Sequence, residues 1–273
     1  MSFDPALLAS LVVGTLRLRP YVFAFLIVFL VSASRDLGTG RALIWLVWGY
    51  SVAFLAEYAS TRVGFPFGMY HYTESTRGTE LYLANVPFFD SVSFPFLAYA
   101  AFCLARRTLG AVPGAAVVWL SGSLMMLLDV VIDPLAVRGD QWVLGRIFYY
   151  PSGGVYFGVP LSNFAGWLLV GWVIVGGYVL ATRATSGGSQ VVEHGSPGAG
   201  VALYFLVLAF NLGMTLWIGE WRLLAAGILI QVCGFLLLLL ISMRVTRERS
   251  RVTAARRPAD GDRDVHSVRS GWL

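Results

Sequence analysis

The chain reads as all-α: a polytopic integral membrane helical bundle of seven helices, eight in the alternative count, with two long aromatic-rich loops on one face. Three observations predict this. First, 57% of the 273 residues are hydrophobic and 13% charged, with a mean hydropathy of +0.71; an ordinary soluble domain is about 25% charged. Second, apolar runs long enough to span a bilayer recur along the chain. Third, two polar, aromatic stretches, residues 62–90 and 133–163, interrupt those runs. Connections in helix bundles are usually short, so loops this long point to function.

The spans fall at residues 20–34, 42–60, 91–105, 111–132, 161–182, 201–217 and 223–243. The stretch 6–16 is either an eighth span or an interfacial or half-spanning helix. It follows Asp4 and lacks a basic leader, so it does not read as a cleavable signal. Residues 1–246 form the bundle, and 247–273 form a disordered arginine-rich tail. The segment 186–200, which contains His194, is Gly/Ser/Pro-rich and reads as a linker. Cys103 and Cys233 lie in apolar runs without metal-ligand spacing and read as packing residues.

All 20 basic residues are arginine and the formal net charge is +5. Many arginines crowd the C-terminal tail from Arg244 onward, which suits anionic lipid rather than nucleic acid. The positive-inside rule places that tail in the cytoplasm and the protein in the cell membrane as a multi-pass protein. Alternation of the spans then puts both long loops on the opposite face, together.

Intramembrane carboxylates are costly and each is a functional candidate by default. Glu57, Asp90, Asp129 and Asp133 all fall where the two loops emerge. Asp129 and Asp133 are four residues apart and share a helix face, and Pro134 then ends or bends that helix. Two carboxylates held close in a dry site cannot both ionise easily, and a protonated one facing an apolar cavity is a general acid. The structural alternatives are a Glu57–Arg62 pair, Asp90 as an N-cap, and a solvated Asp133 before its proline. The loop rings read either as a wall for a bulky apolar guest or as an interfacial belt. His71 stands without a second His or Cys, so no metal site is expected. No phosphate loop, dinucleotide fingerprint or HExxH motif occurs. Cofactor-free acid/base chemistry fits best.

The segments GFPFGMYHYTE, NVPFFDSVSFPFLAYA, DVVIDPLAVRGDQWVL and YYPSGGVYFGVPLSNFAGW, within residues 42–172, resemble the CruF-type carotenoid 1′,2′-hydratase family. That family includes γ-carotene hydratase and bisanhydrobacterioruberin hydratase. The resemblance implies addition of water to the terminal double bond of an acyclic carotenoid, with no cofactor. It implies as partners the carotenoid, the lipid bilayer and other enzymes of carotenoid biosynthesis. Protonation at C2 gives a tertiary cation at C1, which ring faces and a carboxylate stabilise.

In this reading Asp129 or Asp133 donates the proton, with Glu57 next and Asp90 in the same layer. A remaining carboxylate orients the water. Tyr70, Tyr72, Tyr156 and Phe157 face the cation, and Phe67 belongs to the same substrate-binding group. Asn163 and His71 hold the water, and Arg62 tunes Glu57. Another proton-initiated isoprenoid reaction, a cyclisation or isomerisation, would use the same groups. A transporter or lipid-binding protein would instead spread its charges across the bilayer.

Overall fold

The structure, a computed structural model, describes residues 4–110, 114–185 and 195–255. Helix α1 (Pro5–Leu18) is capped by the Asp4 carboxylate, which accepts from the N–H of Ala6 at 2.9 Å and of Leu7 at 3.3 Å. Pro20 cannot continue that ladder and suits a first turn, so Arg19 is a joint. Helix α2 (Pro20–Asp36) leaves it at 90° to α1. Helix α3 (Thr39–Val63) closes on Gly64, whose φ of +74° is the left-handed cap that glycine adopts without strain. Then come α4 (Phe88–Leu109), α5 (Gly114–Ala136), α6 (Leu161–Thr185), α7 (Gly198–Trp217) and α8 (Trp221–Ala255).

Among the described residues six helices, α3 to α8, are long and apolar enough to cross a membrane, and the bent α1–α2 pair taken as one span makes seven. A separate eighth span at 6–16 does not form. The 14 residues of α1 rise roughly 21 Å, short of the roughly 30 Å hydrocarbon core. Helix α8 continues to Ala255, so the stretch expected to be disordered from Arg247 begins as helix, in keeping with its Arg and Glu content. Residues 256–273, and the linker positions 186–194 with His194, lie outside the described residues.

Helix α4 is the hub. From Phe94 to Arg106 all its residues are buried, and it packs on α2, α3, α5 and α7. Pro95 sits inside it; Gly49 of α3 makes room for the ring, and Trp45 Nε1 donates to the Pro95 carbonyl at 2.9 Å. Helices α5 and α6 approach through Gly122 and Gly171, where any Cβ would collide with the other helix. At the end away from the loops, buried Asp36 takes Arg106 Nη1 at 2.6 Å and the Tyr99 hydroxyl at 3.2 Å.

The two long loops clasp each other. Strand β1 (His71–Tyr72) pairs antiparallel with β4 (Phe148–Tyr149), the latter after a 3-10 turn at Gly139–Gln141. A small hairpin joins β2 (Tyr82–Leu83) to β3 (Val86–Pro87). Their shared location follows from the span count, as expected.

Candidate active site

Where α3 and α5 end and α4 and α6 begin, a cavity of about 30 Å³ opens, room for a water or two. Its polar lining is Glu57, Asp90, Asp133 and Asn163; its aromatic lining is Phe67, Tyr70, Phe94, Phe148, Tyr150 and Trp167. Glu57 is 2% exposed, and the Ser91 hydroxyl donates to its Oε2. Asp90 lies in the first turn of α4, whose N-cap is Pro87, so it is not a cap. Its Oδ2 instead accepts from the Tyr72 hydroxyl at 2.7 Å, and Tyr72 lies 3.3 Å from the Tyr70 hydroxyl.

Asp129 is fully buried. Asn163 Nδ2 donates to its Oδ2 at 2.7 Å, while Oδ1 has no hydrogen-bond partner among the described residues. Asp133, one turn on, is half-buried and faces Asn163, Trp167 and Asp129. Pro134 does not end the helix at once, since α5 continues to Ala136. No arginine among the described residues forms an ion pair with any of the four carboxylates.

The loop phenols are held neutral. Burial, reinforced by the nearby Glu57 and Asp90 charges, pushes Tyr70 and Tyr72 well above the usual range, and burial does the same to Tyr150. They therefore remain hydrogen-bond donors.

Several expected site residues lie elsewhere. Strand alternation turns Tyr72 inward and His71 outward, where it is exposed beside Tyr149. Arg62 is exposed. It donates to Asn85 Oδ1 at 2.8 Å and stacks 3.3 Å from the Tyr58 ring centroid, so it does not pair with Glu57. Tyr156 and Phe157 pack on Phe164 and beside Arg138, away from the cavity. Phe94 and Trp167, stacked at 4.4 Å, were not expected. Each stands four residues after a polar site residue, Asp90 and Asn163 respectively, hence on the same helix face. That spacing was the available signal.

A second, mostly apolar cavity of about 90 Å³ adjoins the first, between α2, α4, α5 and α7. Asp90, Asp133, Phe148 and Trp167 line both. Above them Arg19 locks the loops down. Its guanidinium reaches both Glu80 oxygens at 3.0 and 3.2 Å and donates to the Leu144 carbonyl. It also lies 4.3 Å from the Phe89 ring centroid. This pair was not foreseen, although Arg19 sits beside a proline between two apolar runs.

A membrane bundle that places water-sized polar space and apolar space on either side of shared carboxylates defines a class: an intramembrane protein built to handle apolar molecules beside acid groups. Residues 18–234 match the family described as carotenoid biosynthesis protein, and the chain belongs to that family. Over 146 residues it is 36% identical to bisanhydrobacterioruberin hydratase of Haloarcula japonica, covering 51% of this chain and 44% of that protein. The match thus spans under half of that relative's length. No solved structure matches.

Proposed function

We propose that the protein is a carotenoid hydratase that adds water across the terminal 1,2 double bond of an acyclic end group. The observation that carries this reading is the meeting of a water-sized polar cavity and an apolar cavity at Asp90 and Asp133. The hydratase relative and the family support it.

Asp133, facing both cavities, donates its proton to C2 of the alkene. The π electrons form the new C–H bond and leave a tertiary cation at C1. The Trp167 and Phe148 faces, shared by the two cavities, stabilise that cation. A water from the polar cavity adds its oxygen to C1 and loses a proton to Asp90 or Glu57. Transfer of that proton back to Asp133 restores the starting state, and no cofactor is consumed. Asp129 does not line either cavity and acts as a positioning residue, holding Asn163 beside Asp133.

In this reading the bundle of residues 1–246 lies in the cell membrane with the Arg-rich tail cytoplasmic, against anionic lipid. The clasped loops then face the other side. The test is pigment analysis of a lycopene- or γ-carotene-accumulating host expressing the chain. A more polar pigment heavier by one water supports the reading. A cyclised product of unchanged mass, or no change with a C50 acyclic substrate as well, would sink it.

A further inference from the structure

We propose that the cavity between α2, α4, α5 and α7 seats the last isoprene units of the polyene, and that the polyene reaches it sideways from the bilayer through the seam between α2 and α7. This rests on the hydratase reading and adds the route and the seat.

The cavity wall is apolar in effect. Tyr21, Val22 and Phe25 come from α2, and Val207 and Phe210 from α7. Among the polar side chains of the wall away from the carboxylates, Ser93 donates to the Asp90 carbonyl at 2.7 Å, Asn211 Nδ2 to the Val207 carbonyl at 2.9 Å and Trp142 Nε1 to the Leu135 carbonyl at 3.1 Å. Most of the wall a hydrocarbon meets before Asp90 and Asp133 is therefore ring and aliphatic carbon. At about 90 Å³ the space admits only the end of a long polyene, so the remainder must lie outside the protein.

The loop side is closed to it. Arg19, Glu80 and the Leu144 carbonyl bind the loops to the α1–α2 joint, and β1 pairs with β4. Passage there would also carry hydrocarbon through water, at roughly 25 cal/mol for each Å² exposed. Aromatic rings stand in the α2–α7 seam. Tyr21 stacks on Phe210 at 5.1 Å and 20°, and Trp142 stands 5.8 Å from Tyr21. All three rings are half-buried and line the cavity. Leu206, one turn before Phe210 on α7, is 50% exposed and apolar. The proposed route requires these rings to rotate aside.

The test uses the full chain in membranes of a lycopene-accumulating host, with Cys233→Ala because that cysteine is exposed and Cys103 is buried. In Phe210→Cys, benzyl methanethiosulfonate adds a bulky group to the seam, and reductant removes it. Conversion is expected to fall at least ten-fold on labelling and to return on reduction. The same treatment of Val155→Cys, on the exposed loop turn, is expected to change nothing. Tyr21→Cys on the facing helix gives the same readout should Phe210→Cys convert too slowly before labelling. Complete labelling at both seam positions with conversion intact overturns the lateral route, as does a block arising at Val155→Cys instead. A Cys233→Ala parent that yields no hydrated pigment from any acyclic carotenoid overturns the hydratase reading itself, a different result from a working parent indifferent to the seam.

Discussion

The molecule treats buried carboxylates in two ways. Asp36 and Glu80 are each neutralised by an arginine, Arg106 at 2.6 Å and Arg19 at 3.0 Å. Glu57, Asp90, Asp129 and Asp133 share a layer without any arginine partner among the described residues, answered instead by Ser91, Tyr72 and Asn163. A buried ion pair holds elements in register and is costly to break from one side. Neutral donors around clustered carboxylates leave their protons exchangeable. In the proposed reaction, then, the same residue type builds the scaffold where a cation meets it and serves the chemistry where only hydroxyl and amide groups do.

The sharpest way to break this comparison is one substitution made on both sides of it. Asp133→Asn keeps the shape and removes the acid. Hydrated pigment per unit of membrane protein is expected to fall by about 10²–10⁴, with the protein level unchanged. Asp36→Asn leaves Arg106 facing a neutral amide in a buried place. It should cost about 3–5 kcal/mol of stability, read as lost protein and a lower unfolding temperature in detergent, while the surviving protein converts normally. Equal turnover loss in both would erase the distinction.

The Arg19–Glu80 pair extends the scaffold side. Glu80→Gln should destabilise by a similar about 3–5 kcal/mol, and Arg19→Met/Glu80→Met should recover most of it, because no uncompensated charge remains. Thermal unfolding of the single and double variants checks this. A double variant no better than the single would mean that the pair does more than hold the loops against the α1–α2 joint.

Much of this arrangement was legible in the sequence, and the reasons for the rest are specific. Hydropathy located the spans because each is a local property of some twenty residues. The carboxylate layer was legible because alternation of spans places Glu57, Asp90, Asp129 and Asp133 at one edge whatever the packing. Partners were not. Which of Arg19, Arg62 or Arg138 meets a carboxylate depends on contacts such as Arg19–Glu80, 61 residues apart. Loop rings were hard to sort for the same reason. Tyr70 and Tyr156 have similar settings in sequence, yet the β1–β4 pairing draws the first to the cavity, and packing on Phe164 holds the second away.

Two smaller effects sharpen the distinction within the chemical side. Asp129→Asn and Asn163→Ala should each lower conversion about ten-fold, one kcal/mol or more of positioning, and together by little more than either alone, because they share one hydrogen bond. Full additivity would mean that each acts on the substrate separately.

The smallest expected effects belong to His71→Ala and Arg62→Ala. Both side chains are exposed, His71 turned outward on β1 and Arg62 engaged with Asn85 and Tyr58. Exposed substitutions of this kind usually change stability by no more than about 0.5 kcal/mol, and with no contact to the cavity their conversion is expected to stay close to that of the unaltered protein. Pigment conversion in the two variants therefore measures how far the chemistry extends beyond the carboxylate layer. A ten-fold loss in either would bring the loop surface into the reaction, and the neutral donors around Glu57 and Asp90 would no longer account for the site by themselves.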